Sequence, residues 1–382
     1  MRSSTGAHYI ALDHVRALAA FFVFAWHFTH VTVPLSYVPA LIPFSILDEG
    51  HTGVALFMTL SGYLFAKLLD GRRIDYRAFL WNRAIRLLPL LVVVVAIVGL
   101  TKLINGEGLA AYALATAQGL FLPTLPNGGW SITVEFHYYI ILPALLGMSA
   151  RSKFLPLSII VAAVGLRWFL HHERGEIQSL AYWTIVGRID QFVLGMLAYQ
   201  FRRLIARRHW VALAVIASFM IVYWRFNALG GFYHYPSYPS PRPFWIILPT
   251  IEGFAYAISI AWYDNSFSHS TSRLSRWIGR IGEYSYSIYL LHFFVVHAMA
   301  RFVNEHVMNL SNFYVACLWA VACFGLMIIP AYFSFRFIES PFLNLRKRYV
   351  KLSPVEEESS SGGKAAPDAA ENERGVSSRR AA

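Results

Sequence analysis

Residues 16–27 read Arg16-Ala-Leu-Ala-Ala-Phe-Phe-Val-Phe-Ala-Trp-His27, an arginine and a histidine separated by ten residues of which none is polar. An ionisable side chain at the centre of a hydrocarbon-spanning helix costs roughly 2.5–3.5 kcal/mol on insertion scales, so neither residue is there by default. Eleven positions make just over three helical turns, which puts both side chains on nearly one face and about 16 Å apart along the axis. Spacing alone leaves two readings open: two polar residues that each pair elsewhere in a bundle, or two ends of one site. Asp13 lies one turn before Arg16 and is placed to orient it as an i, i+3 pair.

The rest of the chain has the same character. Of 382 residues, 57% are hydrophobic and 14% charged, against about 25% charged in an ordinary soluble protein. The composition therefore describes an all-α polytopic membrane protein. Segments long enough to cross about 30 Å of hydrocarbon fall near 12–33, 51–70, 84–104, 130–149, 154–171, 181–200, 210–226, 244–263, 278–300 and 313–335, giving a bundle of about ten spans. The shorter run 109–122 is expected to be interfacial or re-entrant. The first segment has no small-residue cleavage site after it and reads as a retained helix, not a signal peptide.

With the N-terminus placed in the cytoplasm, the inside segments collect Lys67, Arg72, Arg73, Arg77, Arg83, Arg86, Arg151, Lys153, Arg202, Arg203, Arg207, Arg208, Arg273, Arg276, Arg280, Arg346, Lys347, Arg348 and Lys351. The outside segments hold Lys102, Arg167, Arg174, Arg225, Arg242 and Arg301. That asymmetry, about threefold, predicts that both termini are cytoplasmic. The chain divides into a membrane domain, 1–345, and a basic juxtamembrane segment with a tail, 346–382. The tail is rich in Ser, Ala, Gly and charge, lacks aromatics after Tyr349, and is expected to be disordered.

Other polar residues mark candidate positions. Arg83 and Arg86 open the third span on one face just before Pro89; such a pair suits forked binding of phosphate, or equally a positive-inside anchor on lipid headgroups. Glu135 lies about a turn and a half into the fourth span and needs a cation or a proton. Arg188 and Asp190 in the sixth span are explained by pairing within the bundle, and Glu252 in the eighth has no explanation from sequence. Ser61-Gly62 permits close helix approach. In the outer loop 227–243 the tyrosines and prolines suit either a belt at the membrane interface or a stacking surface for a sugar ring, the belt being the commoner use. Cys317 and Cys323 share one late apolar run and imply no disulfide framework. With no HExxH, CxxC, phosphate-binding Gly-rich loop or nucleophile-elbow serine, neither a metal nor a serine nucleophile is indicated.

Taken in order, these residues resemble the integral-membrane acyltransferase-3 family, which includes bacterial O-acetyltransferases of surface polysaccharides. Arg16 and His27 match its Arg, ten residues, His signature. Gly53-Val-Ala-Leu-Phe-Met-Thr-Leu-Ser61-Gly62-Tyr63 matches the second-span pattern, Arg83 and Arg86 the Arg-x-x-Arg entry to the third, and Trp130-Ser131 through Glu135 the Trp-Ser-x-x-x-Glu run. Ser285 to His292 matches Ser-Tyr-x-x-Tyr-Leu-x-His, and Glu339-Ser-Pro341 the closing Glu-x-Pro. Each is short; together they run from about Asp13 to Pro341. The chain departs from the pattern at Asn82, where the family often has another arginine, and at Phe136-His137, where a second acidic or amide residue is common.

The resemblance implies transfer of an acyl group, acetyl above all, from acyl-CoA to a hydroxyl of a surface glycan or lipid-linked sugar, in a bacterial inner membrane. On that basis Arg16, Arg83 and Arg86 would hold the phosphates of acetyl-CoA, His27 would be the general base or carry the acyl group, and Glu135 would orient His27 or the acceptor. The competing class is a transporter or flippase of a lipid-linked sugar, whose intramembrane charges would line a path.

Overall fold

A computed structural model describes residues 9–69, 72–233, 237–270 and 272–351. The chain is a helical bundle. In order come α1 (Ile10–Thr29), the single turn α2 (Ser45–Asp48), α3 (Gly53–Leu69), α4 (Tyr76–Ile104), α5 (Leu109–Gln118), α6 (Trp130–Arg151), α7 (Leu157–Arg174), α8 (Gln178–Trp183) and α9 (Ile185–Gln200). The turn α10 (Arg202–Ile205) follows, then α11 (His209–Ala228), α12 (Leu248–Ser266), α13 (Arg273–Glu283), α14 (Ser285–His306), α15 (Phe313–Ser334) and the turn α16 (Ser340–Leu343). Two short strands, β1 (Arg73–Ile74) and β2 (Val350–Lys351), pair antiparallel.

All ten expected segments are helical. Among the described residues, seven helical stretches are long and apolar enough to cross a membrane: 10–29, 50–69, 76–104, 130–151, 209–228, 285–306 and 313–343. Of the other three expected segments, those on α7 and α12 carry Arg167 and Glu252, which lower their hydropathy, and the third is broken at Thr184 into α8 and the 16-residue α9. The run 109–122 forms the ten-residue α5, which buries no residue. At ~1.5 Å per residue it is about half the length of a span. It lies back on α4, with Tyr112 donating from its hydroxyl to the Val95 carbonyl at 2.7 Å.

Helix α1 is central. One stripe of it, Leu12, Val15, Ala19, Val23 and Trp26, joins an apolar core shared with α3, α4, α6, α9 and α12. Another stripe, Ala17, Ala20, Phe24, Ala25 and Phe28, packs into a second core with α14 and α15. Arg16 and His27 fall at the seam between these stripes by the 100° rotation per residue, which is why neither is lost in the packing. Close contact of α3 with α9 depends on two glycines: a Cβ at Gly62 would stand 2.0 Å from the Phe192 carbonyl oxygen, and one at Gly195 2.0 Å from that of Thr59. The outer surface of α4 and α15 is apolar, with Val92, Leu100, Leu318 and Val321 exposed, as a lipid-facing surface requires.

Two pairs of buried charges join helices. The Arg167 guanidinium donates to both oxygens of Asp190, at 3.1 and 2.7 Å. Arg188 pairs with Glu252 at 3.3 Å, and Glu252 also accepts from Thr52 at 2.8 Å and Gln191 at 2.9 Å. The pairing expected for Arg188 and Asp190 is thus two pairs, joining α7, α9 and α12. Arg167, counted above among the outer charges, is fully buried.

The segment after α16 folds back on the start of α4. Strand β2 aligns Val350 with Ile74 and Lys351 with Arg73, and Tyr349 is buried. The expected tail, 352–382, lies outside the described residues.

Candidate active site

Two cavities lie end to end along α1. The first is lined by Arg16 and Asp13 from α1, Arg83 and Arg86 from α4, Glu135 and Tyr139 from α6, Tyr286 and Tyr289 from α14, and Arg346 and Tyr349 from the final segment. It encloses about 1250 Å³ of empty space, its mouth included. The second is lined by His27, Trp26, His51, Trp130, Tyr182, Trp183, Phe232, Tyr233, Tyr238 and Phe293, with no Lys, Arg, Asp or Glu among the described residues of its wall. Val54 and Tyr289 line both.

The arginine cavity is built by helix starts and turns. Asp75 caps α4, accepting from the Ala78 amide at 3.0 Å, so Arg83 and Arg86 emerge two to three turns into a well-seated helix. The Arg83 guanidinium lies over the Phe65 and Phe79 rings, 5.2 and 5.5 Å from their centroids, and its Nε is buried without a hydrogen-bond partner. Arg16 is held by Asp13 at 2.5 Å, the i, i+3 pair expected. Arg86 stands within electrostatic range of Arg16, Arg83 and Glu339. Glu339 is buried in the turn after α15 and accepts from the Ser287 hydroxyl, so the run Ser285 to His292 and the closing Glu-x-Pro meet within electrostatic range of Arg86. Arginines with an unpartnered buried donor suit a polyanionic ligand, since forked guanidinium bonds are strongest to phosphate and carboxylate.

Of the expected site residues, Arg16, Arg83, Arg86 and Glu135 come together here. Glu135 accepts from the Tyr139 hydroxyl one turn on. His27 is not in this group: it opens onto the aromatic cavity, so Glu135 and His27 line different chambers. Arg346, which sequence reading counted only as a basic flank, joins the arginines. Burial and the nearby Arg86 and Arg83 hold its guanidinium below the usual value, at about 10.

His27 sits among rings. Its centroid is 4.4 Å from Phe293, 4.6 Å from Trp26 and 5.1 Å from His292. His292 contacts the Tyr289 carbonyl through Nδ1 at 2.5 Å; a carbonyl only accepts, so Nδ1 carries the proton and Nε2 keeps a lone pair. That Nε2 is buried without a partner. His292 was legible only as a motif position, because nothing in its spacing places it beside His27.

The loop after α11 closes the aromatic cavity. Glu49 accepts from the Phe232 amide at 3.1 Å and from His51 Nε2 at the same distance. Gln178 donates to the Phe232 carbonyl at 2.7 Å and accepts from the Ser240 amide at 2.5 Å. Asn227 donates to Asp48 and, at 3.3 Å, to Glu49. Burial pushes Asp48 up to about 7, partly offset by the Asn227 bond, and pushes Glu49 well above the carboxylate range with the neighbouring Asp48 adding to it. Phe232, Tyr233 and Tyr238 of this loop are thereby aimed at the chamber of His27.

A family described as an acyltransferase domain matches residues 9–332. The chain belongs to that family. It is an integral-membrane enzyme that transfers acyl groups. Nodulation protein 10 of Rhizobium leguminosarum bv. viciae is 24% identical over 383 residues, covering 91% of this chain and 96% of that protein. The peptidoglycan O-acetyltransferase OatA of Listeria monocytogenes serovar 1/2a is 24% identical over 369 residues, 87% of this chain and 55% of the relative. The chain thus spans nearly all of the first and about half of the second. No solved structure matches.

Proposed function

We propose that this acyltransferase moves an acyl group, acetyl above all, from acyl-CoA held in the arginine cavity to a hydroxyl of a glycan or lipid-linked sugar held in the aromatic cavity. The observation that carries this reading is the pair of chambers with opposite chemistry, cationic and neutral-aromatic, sharing Val54 and Tyr289 as a common wall. Arginines suit the phosphates of CoA, while stacked rings without charge suit a neutral sugar. The name of the Listeria relative, a peptidoglycan O-acetyltransferase, favours a glycan acceptor.

His27 takes the proton of the acceptor hydroxyl. The oxygen then bonds to the thioester carbonyl carbon, the carbon–sulfur bond breaks, and His27 returns the proton to the departing sulfur, leaving an ester and a free CoA thiol. Imidazole is suited to both halves of that exchange near neutral pH. His292, with its tautomer set by the Tyr289 carbonyl, packs against His27 at 5.1 Å between ring centroids and keeps an unshared lone pair on Nε2. Glu135, in the donor chamber, balances the arginines and positions Tyr139. The charge asymmetry of the loops supports an arginine cavity that faces the cytoplasm, where acyl-CoA is made. Both termini then lie on that side, with 1–345 as the membrane domain, 346–382 as a cytoplasmic segment, and the inner membrane of a bacterium as the location.

The test is acetyl transfer from labelled acetyl-CoA in membranes carrying the wild type or His27→Ala. Loss of transfer by a correctly inserted His27→Ala protein is expected. Unchanged transfer would overturn the role of His27, and absence of transfer from acetyl-CoA by the wild type to any glycan hydroxyl would overturn the donor and acceptor together.

A further inference from the structure

The chain beyond α16 is fastened with unusual thoroughness for a segment that follows the last helix. The Lys347 backbone bonds in both directions to the Asn82 side chain, its carbonyl accepting at 2.7 Å and its amide donating at 2.9 Å. Trp81 Nε1 donates to the Leu345 carbonyl at 3.1 Å. The Asp75 amide donates to the Tyr349 carbonyl at 2.8 Å, and β2 then pairs with β1. The Tyr349 ring, 1% exposed, meets Phe79 at 5.5 Å. Every clamp lies between residues 73 and 82, immediately before Arg83 and Arg86.

The outcome of this fastening is the position of Arg346. It is half-buried in the wall of the arginine cavity. Four arginines there stand against three carboxylates, Asp13 and Glu135 in the wall and Glu339 behind it, and Asp13 is committed to Arg16. Like charges gathered in a partly desolvated chamber repel, so the arrangement is favourable when an anion of more than one charge occupies it.

We infer that residues 344–351 form a strap completing the donor site, in which Arg346 binds a phosphate group at the nucleotide end of CoA and Asn82 holds the strap in register. The inference rests on the proposed acyl-CoA donor. The added cationic group comes from the other end of the chain, and the buried Asn82 amide is the device that brings it there.

The test is CoA binding to the purified full-length protein in nanodiscs of zwitterionic lipid, by calorimetry, with pantetheine as a phosphate-free probe. Arg346→Gln is expected to weaken CoA binding about tenfold or more, as loss of a charge-assisted bond does, and to leave pantetheine binding unchanged. Arg346→Lys recovers part of the affinity, and Asn82→Ala weakens CoA binding in the same direction. A wild type that binds no CoA would overturn the donor reading itself. A wild type that binds CoA with Arg346→Gln equally tight would overturn only the strap's role, and is the result expected if Arg346 served a lipid phosphate instead. Equal loss of CoA and pantetheine would mark Arg346 as a structural residue and also overturn the assignment.

Discussion

Arg16 and His27 share one helix and open onto different chambers, Arg16 with three other arginines and His27 with a box of aromatic rings. The rise of about 16 Å between them therefore separates two binding surfaces, and substitutions at the two should separate kinetically. Arg16→Ala is expected to raise the KM for acetyl-CoA about 10–100-fold, the range for a lost bond to a charged group, with the acceptor dependence unchanged. His27→Ala is expected to lower kcat with donor binding retained. Initial rates over both substrate concentrations distinguish these, and an Arg16→Ala enzyme with unaltered donor dependence would count against the phosphate role.

Much of the bundle was legible because intramembrane charges are costly and therefore conspicuous. Arg16, His27, Arg83, Arg86, Glu135, Arg188, Asp190 and Glu252 all stand out against apolar surroundings. What the sequence does not carry is partnership: Arg188 meets Glu252 across 64 residues and Arg167 meets Asp190 across 23, and period or spacing says nothing about contacts between helices. Glu135 and His27 illustrate the same limit, since depth in a span does not say which chamber a side chain enters. Arg346 was hidden for the opposite reason. In a run of basic residues after a span, a ligand-binding arginine looks like any other positive-inside charge.

The Arg167–Asp190 pair carries a stability prediction. Both side chains are fully inaccessible, and Arg167 also donates from Nε to the Ile246 carbonyl at 2.7 Å. Removing one partner of such a pair leaves an uncompensated buried charge, at a cost of about 3–5 kcal/mol. Arg167→Met should lose stability of that order in unfolding measurements in detergent, and Arg167→Met combined with Asp190→Leu should recover most of it, because the double change removes the stranded carboxylate.

Gly231 tests the loop over His27. Its backbone is left-handed, with φ of 56°, and a Cβ there would stand 1.8 Å from Glu49 Oε1. Gly231→Ala combines left-handed strain of about 1–2 kcal/mol with displacement of the carboxylate that accepts from the Phe232 amide. The loop should detach while the arginine cavity, walled by other elements, is untouched. The expected result is a raised KM for the glycan acceptor and an unchanged affinity for CoA. An equal effect on both would show that the loop does not serve the acceptor side.

Asp48 makes the same loop responsive to pH. Its carboxyl is raised to about 7 by burial, and Glu49 beside it is raised well above the carboxylate range. Asn227 bonds to both carboxyls, and Tyr37 and Cys317 stand within electrostatic range of Asp48. A carboxyl that is neutral when docked and has an ordinary value near 4 when exposed favours the docked loop fully below about pH 4. That contribution falls progressively between about pH 4 and 7, where only the detached loop releases the proton, and is gone above about 7. Amide hydrogen exchange of residues 229–233, corrected for intrinsic rates, should therefore quicken between about pH 4 and 7 and level off above that. In Asp48→Asn this dependence should weaken, since the amide cannot ionise. A wild-type profile flat from about pH 4 to 7 would exclude Asp48 as the titrating group.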